Sequence, residues 1–249
     1  MGISHAISSD RGETWVEQSR VHSVGGSSHF AISPSGVLAV RITPLSASAN
    51  KFDPGVDHVA VSTDAGSTWR VRDLPGNRIW SEFDETRDFL RWVEPIAWDS
   101  AGRLYAAWSE DNTLWIARSV DEGGSWSSWK VAQDSAPVYF PYLVARGNAE
   151  LAATWYTGLR HSIRANVAYI EVGRGAAPPR VTRGDSFSFP AFSRTDTAAN
   201  PVRDTAGEYI PVSFLRDGRI AIVTTIQDER NGQAGFTFRT YQLPGVQKK

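Results

Sequence analysis

The chain has 249 residues, of which 41% are hydrophobic and 21% are charged, a composition typical of a globular protein with a packed core. Its 26 basic and 27 acidic residues give a net charge of −1, which argues against a nucleic-acid-binding protein and supplies no polybasic patch for a membrane surface. The absence of cysteine excludes disulfide scaffolds, cysteine-ligated metal sites and cysteine nucleophiles.

One eight-residue pattern, Ser-x-Asp-x-Gly-x-Thr/Ser-Trp, occurs three times, at 8–15, 62–69 and 119–126. Its copies are 54 and 57 residues apart, a spacing typical of a four-stranded propeller blade with one enlarged loop. We expect the Asp to accept hydrogen bonds from backbone N–H groups two residues on, the Gly to adopt a positive φ, and the Trp to fold back and be buried. The residues given this structural role are Asp10, Gly12, Trp15, Asp64, Gly66, Trp69, Asp121, Gly123 and Trp126.

Apolar alternation before each copy predicts a strand that enters the turn, and the pattern would join strand C to strand D of a blade. Turn signals at 33–36, 99–102, 146–148 and 216–218 predict the hairpins between strands A and B. In chain order, the blades are expected at about 1–22 (partial), 28–73, 93–131, 140–183 (without the pattern) and 209–242 (partial). The sequence therefore predicts a single all-β domain over 1–249 with 17 strands in sheets of two, four, four, four and three, and no helix of convincing periodicity.

The repeated pattern resembles the Asp-box, or BNR repeat, of the sialidase (neuraminidase) superfamily. The resemblance implies a sialidase-like β-propeller whose Asp-boxes brace hairpins and take no part in catalysis. Because such propellers have six blades, it implies a fragment or shortened form with between four and five blades, and a possible missing N-terminal segment. It also implies secretion to an extracellular or periplasmic location, although the chain starts without the features of a signal peptide.

Strand direction would place the D–A and B–C loops at the end opposite the A–B turns, and we expect function at this loop-bearing end. By resemblance, the site would hold a tyrosine nucleophile paired with a glutamate, an aspartate acid/base and three arginines that bind the substrate carboxylate. Tyr209 and Glu94 each open a strand that resembles the family's nucleophile and glutamate strands. Asp53, with Asp57 as the alternative, lies in a B–C loop like the acid/base, and Arg164 resembles one of the arginines.

The other two arginines have no clear counterpart. Arg41-Ile-Thr-Pro44 is similar in letters to the family's Arg-Ile-Pro motif but falls on a B strand, and Ser109-Glu-Asp111 stands where another arginine is expected. Sialic acid is therefore a poor expected substrate, and neutral sugars are better candidates. Arg160, Arg203 and Trp80 complete the predicted substrate-binding residues.

Two functions from different classes fit these observations. The first is a glycan-active propeller that works as a retaining exo-glycosidase through Tyr209; the second is a non-catalytic propeller that binds glycan or protein through the same loops. A truncated gene product without autonomous function is a third interpretation. Carbohydrate is the expected partner, and neither nucleic acid nor a membrane is. No cofactor is expected, because the five histidines show no metal-ligand spacing.

Overall fold

The computed structural model of the chain describes residues 2–23, 25–26, 29–43, 56–76, 94–158, 163–189, 209–227 and 234–244. These residues form 18 β-strands in five antiparallel sheets and contain no helix, which confirms the predicted all-β class. Accordingly, the described residues include no helix with the length and apolar character needed to span a membrane.

The five sheets follow one another along the chain, and we number them 1 to 5. Sheets 1 and 2 consist of β1 (Ile3–Ile7) and β2 (Val16–His22), then β3 (Phe30–Ile32), β4 (Leu38–Ile42), β5 (His58–Ser62) and β6 (Arg70–Asp73). Sheet 3 consists of β7 (Ile96–Trp98), β8 (Leu104–Glu110), β9 (Thr113–Ser119) and β10 (Ser127–Gln133). Sheet 4 consists of β11 (Val138–Arg146), β12 (Glu150–Thr157), β13 (Ile163–Glu171), β14 (Arg180–Arg183) and β15 (Phe187–Phe189), and sheet 5 of β16 (Val212–Phe214), β17 (Ile220–Gln227) and β18 (Ala234–Tyr241).

Sheet 4 differs from the sequence-based expectation by one strand. β14 pairs with the second half of β13, and β15 pairs with its first half, from Ile163 to Ala165. A nine-residue β13 is long enough to receive two short strands in succession along the same edge. The sheet therefore has five strands where the turn signals predicted four.

The sheets stack face to face in chain order. The first strands of sheets 2 to 5, namely β3, β7, β11 and β16, contact one another in series and are the innermost strands. Apolar layers fill the spaces between sheets: Val59 and Leu104 lie between sheets 2 and 3, for example, and Leu114 and Trp155 between sheets 3 and 4. Radial stacking of antiparallel sheets around inner strands is the architecture of a β-propeller.

The A–B hairpin turns of sheets 3 and 4 lie at one end of this stack. The Ser100 N–H donates to the Gly147 carbonyl at 2.9 Å, and Arg103 donates to the Asn148 side chain. Because each innermost strand leads into its A–B turn, the beginnings of these strands lie at the opposite end. That opposite end is where the sequence predicted function.

The three repeated turns, which we call the aspartate turns, share one hydrogen-bond pattern. In the copy at 62–69, the Gly66 N–H donates to Ser62 Oγ at 2.8 Å, while Asp64 Oδ1 accepts the Thr68 N–H at 2.9 Å and Oδ2 accepts the Thr68 hydroxyl. The aspartate thus binds an N–H four residues on, not two as expected, because the serine hydroxyl already takes the glycine N–H. The predicted positive φ is present at Gly12, Gly66 and Gly123 and extends to the residue before each glycine.

The tryptophan is partly buried in two of the three copies. Trp69 and Trp126 pack against apolar clusters between sheets. Both of their turns dock on the preceding sheet, as shown by the bond from Ser19 Oγ to the Gly66 carbonyl at 2.7 Å and by the Arg70–Glu122 ion pair. Trp15 is 65% exposed, so its predicted burial is wrong. Its turn belongs to sheet 1, which has no preceding sheet among the described residues.

Candidate functional site

A buried group of three charges lies between sheets 2 and 3, and we call it the central ion cluster. Arg41, in β4, is 2% exposed, and its Nη2 donates to Asp57 Oδ2 at 2.6 Å and to a Glu94 carboxylate oxygen. Its Nη1 donates to the Ala107 carbonyl at 2.9 Å. The other Glu94 oxygen accepts the Ser109 N–H at 3.0 Å. The Arg41 guanidinium thereby connects the residues that precede β5 and β7 with strand β8 of sheet 3.

The cluster forms because β4 is otherwise apolar and carries Arg41 into the interior. A buried charge is costly unless it is paired and hydrogen-bonded, so the two carboxylates are needed to keep the arginine there. The cluster contains one guanidinium and two carboxylates, and its formal charge is −1. Both terminal nitrogens of Arg41 are therefore engaged, Nη2 by the two carboxylates and Nη1 by the Ala107 carbonyl.

His29 lies directly beside this cluster. Its carbonyl accepts the Arg41 N–H at 2.8 Å. Burial and, to a smaller extent, the positive charge of Arg41 together lower the pKa of the His29 imidazole from 6.5 to about 4, although a hydrogen bond with the Glu94 backbone partly opposes both effects. The imidazole is neutral at pH 7, so His29 adds no positive charge to the site.

A line of aromatic rings connects His29 to the surface. The His29 ring centroid is 5.5 Å from that of Tyr142, and the Tyr142 ring centroid is 6.2 Å from that of Tyr209. His29 precedes β3, Glu94 precedes β7, Tyr142 lies in β11 and Tyr209 precedes β16. All four innermost strands thus contribute to one place, which we call the central site: the central ion cluster with His29, Tyr142 and Tyr209.

Tyr142 is positioned by an irregularity in β11. The register between β11 and β12 shifts between Tyr139 and Tyr142, and the intervening Phe140 is fully buried with a φ of 46°. A left-handed φ is unfavourable for a bulky residue and persists only where the surroundings hold it. β-Bulges redirect the side chains that follow them and are common beside active sites. Local strain therefore accompanies the placement of Tyr142 in the central site.

The structure brings two of the predicted catalytic residues to the same end of the sheets. Glu94 is 3% exposed and belongs to the central ion cluster. Tyr209 is 60% exposed, and its ring contacts Tyr142, which in turn contacts His29 beside the cluster. Arg164 already binds both oxygens of Asp134 through Nη2 at 2.8 Å. The remaining predicted residues, Asp53, Arg160, Arg203 and Trp80, lie outside the described residues.

Sequence reasoning missed several members of the central site. Arg41 had a detectable signal, because it is the single charge in an apolar strand, but it was considered only as a poor match to a family motif. In the sequence, Ser109 stands where the family has an arginine. In the structure, its backbone N–H donates to a Glu94 carboxylate oxygen. His29 and Tyr142 gave no local signal. Asp57, weighed as the alternative to Asp53, is the aspartate that the structure places in the cluster.

The central site combines hydrogen-bond acceptors with aromatic surfaces. Asp57 and Glu94 bind the same nitrogen, so these two oxygens lie within about 6 Å of each other. Within the part of the chain that the structure describes, no group of three or more His, Asp or Glu residues is arranged to hold a metal ion. The described residues of the central site provide carboxylates, a neutral imidazole and tyrosine hydroxyls.

The sequence matches no protein-family model and no curated protein. Among solved structures, the fold is similar to a leech intramolecular trans-sialidase, with a TM-score of 0.55 and 16% identity over 96% of this chain and 36% of that chain. It is also similar to an α-L-arabinanase of Penicillium chrysogenum complexed with arabinobiose (TM-score 0.52, 15% identity, 87% of this chain and 62% of that one). A variant of the NanB sialidase of Streptococcus pneumoniae is a third similar structure (TM-score 0.51, 12% identity, 94% and 35%).

These similarities define the class of fold. The chain has the sialidase-like β-propeller fold, which is also the fold of this arabinanase. It spans between about a third and two thirds of the length of these three structures.

Proposed function

We propose that the protein acts on glycans as a glycoside hydrolase, with its catalytic centre at the central site. The observation that carries the proposal is the convergence of Glu94, Asp57, His29, Tyr142 and Tyr209 from four sheets at one end of the propeller. Paired carboxylates and aromatic rings at the meeting point of several strands suit the cleavage of a sugar that is held by stacking and hydrogen bonds.

In the proposed reaction, Tyr209 is the nucleophile. Its exposed hydroxyl attacks the anomeric carbon and forms a glycosyl–tyrosine bond, while Asp53 protonates the departing glycosidic oxygen. Water, activated by the same aspartate, then releases the sugar with retention of configuration. Glu94 would accept the Tyr209 proton, which requires the two groups to come within about 2.6–3.2 Å in the substrate complex. Arg160, Arg203 and Trp80 would bind the substrate around this centre, whereas Arg164, which the sequence also predicted to bind substrate, pairs with Asp134.

Charge points to a neutral sugar as the substrate. Arg41 is committed to Asp57 and Glu94, and Arg164 is committed to Asp134. Among the described residues of the central site, the ion cluster has a formal charge of −1 and His29 is neutral, which favours a neutral substrate over one that carries a carboxylate. The arabinobiose complex of the similar arabinanase shows a neutral sugar bound to a protein of this fold.

The test is a panel of aryl glycosides of neutral sugars beside 4-methylumbelliferyl sialic acid. We expect release from at least one neutral glycoside and none from the sialoside. Tyr209→Phe should abolish that activity, whereas Tyr169→Phe, which removes a hydroxyl bound to Glu150 in the body of sheet 4, should retain it. Efficient cleavage of the sialoside would refute the neutral-sugar assignment, and full activity in Tyr209→Phe would refute the nucleophile.

A non-catalytic glycan-binding role is the second candidate. It is favoured by the burial of both carboxylates and their pairing with Arg41, because such pairing also serves to hold chain segments in place. Under this alternative, no glycoside is cleaved while a glycan array gives binding, and Tyr142→Ala removes that binding.

A further inference from the structure

The last strand, β18, forms the outer edge of sheet 5. It runs for eight residues and pairs with β17 along its whole length without a register shift. On its other side, no strand among the described residues pairs with it. A sheet edge of this kind presents a row of backbone N–H and C=O groups to which another strand can add.

The outer strands of the other four sheets carry features that oppose strand addition. Short length, charged side chains and bulges are the usual means by which proteins protect a sheet edge. They are found in β2 (Glu17, Arg20 and two register shifts), β6 (four residues, three of them charged), β10 (Lys130 beside a register shift) and β14 (four residues with Arg180 and Arg183 at its ends). β18 is long and regular and has Arg239 as its single charge. Its edge is therefore the least protected of the five.

The exposed side chains of β18 are aromatic. Phe236 is 79% exposed and Phe238 is 64% exposed. Because side chains alternate along a strand, these two share one face. The opposite face is turned toward sheet 4, where Arg239 lies over the Phe187 ring at 3.8 Å and Tyr241 packs against the apolar cluster. An unprotected edge and an uncovered aromatic pair thus occur on the same strand.

We propose that β18 pairs antiparallel with β18 of a second copy of the chain, around a two-fold axis at Thr237. In this register, Phe236 of each copy lies opposite Phe238 of the other, which gives two cross-strand aromatic pairs. Arg239 lies opposite Gly235, so no like charges face each other. The two three-stranded sheets become one continuous six-stranded sheet, and the strand is complementary to itself, as a two-fold interface requires.

The expected dimer is weak and depends on concentration. One strand pair with two aromatic contacts buries less than the about 1,200–2,000 Å² of a stable, specific interface. Sedimentation velocity over a hundredfold range of protein concentration should therefore show a rising dimer fraction. A wild-type chain that stays monomeric at every concentration would overturn the proposal.

Charge variants test whether β18 is the interface. The double variant Phe236→Lys/Phe238→Lys should remain monomeric at all concentrations, because like charges would then face each other. Phe236→Glu/Phe238→Glu should also be monomeric, and an equimolar mixture of the two double variants should associate. Val71→Lys on the edge strand β6 is the matched control and should dimerise as the wild type does. Dimers that survive in the lysine double variant would place the interface elsewhere.

A cysteine variant tests the register. The chain has no cysteine, so Thr237→Cys introduces a single thiol that would lie opposite its own copy. Directly opposed residues have Cβ atoms about 4.5–5.5 Å apart, close enough for a disulfide after a small adjustment. Mild oxidation should give a covalent dimer that reductant separates, and Val71→Cys should not. A dimer that forms without cross-linking at residue 237 would refute the proposed register.

Discussion

Arg41 organises the central site through contacts with residues far away in sequence. Its guanidinium joins Asp57, Glu94 and the Ala107 carbonyl, which are 16, 53 and 66 residues away along the chain. A buried ion pair of this kind adds little net stability, but the loss of one partner leaves the other buried and uncompensated. Substitution of Arg41 should therefore destabilise the protein by more than the intact ion pairs stabilise it.

Replacing Arg41 with Met should lower the free energy of unfolding by about 3–5 kcal/mol, because two carboxylates would remain buried without a cation. Urea denaturation measures this loss. Arg164→Met is the matched control, because its pair with Asp134 is partly exposed and should contribute less than about 1 kcal/mol. Equal losses in the two variants would show that the cluster is not a stability determinant.

His29 makes stability depend on pH between about 6.5 and 4. Its pKa is lowered from 6.5 to about 4 in the folded protein by burial and by Arg41, so in this range the unfolded chain binds a proton that the folded chain does not. The free energy of unfolding should therefore fall as the pH decreases through this range. NMR titration of the imidazole gives the pKa directly, and His29→Gln should remove this part of the pH dependence. A His29 pKa of 6 or above would contradict the burial seen in the structure.

At the scale of single elements, the aspartate turns show how short sequence patterns determine local structure. Hydrogen bonds from the hydroxyl and N–H of Thr68, and from the Ser62 hydroxyl, lower the pKa of Asp64 to about 2. Asp10 and Asp121 have the same lowered pKa for corresponding reasons. Since each folded pKa is below the unfolded value of 3.8, the stabilisation is complete above about pH 4 and is lost as the pH falls toward 2.

Replacing Asp64 with Ala should lower the Tm without changing glycan binding or turnover by the folded protein, because the turn lies away from the central site. Asp10→Ala removes the same bonds from a turn that docks on no other sheet among the described residues, so its effect on the Tm should be smaller. Differential scanning calorimetry compares the two. Loss of glycan binding at an unchanged Tm in Asp64→Ala would place function at the turns instead.

For the whole molecule, stability depends on the apolar layers between successive sheets. Trp155 is the largest fully buried side chain in the layer between sheets 3 and 4. A single domain with continuous layers should unfold in one cooperative step, whichever sheet is perturbed.

Trp155→Ala should therefore lower the free energy of unfolding by about 3–5 kcal/mol and move the entire transition. Circular dichroism reports the strands and tryptophan fluorescence reports the packing, and both should give the same midpoint. Separate midpoints would show that the sheets unfold independently and would contradict the single-domain prediction.

The sequence by itself determined the features that depend on neighbours within a few residues. The aspartate turns, the glycine conformations and the A–B hairpins follow from local hydrogen bonds and allowed backbone angles, so short patterns were enough to predict them. The exposure of Trp15 and the pairing of β15 with β13 could not be predicted in this way, because they depend on which other elements pack beside the turn or strand.

Only the tertiary structure decided the composition of the central site. His29, Glu94, Tyr142 and Tyr209 come together because the four innermost strands begin at the same end, and Tyr142 is directed there by a strained bulge at Phe140. Pairing between residues so far apart in sequence depends on how the sheets pack, which no local pattern encodes. For the same reason, the resemblance could only predict roles for Glu94 and Tyr209, whereas the buried arginine and the neutral histidine that set the charge of the site became apparent only from the packing of the sheets.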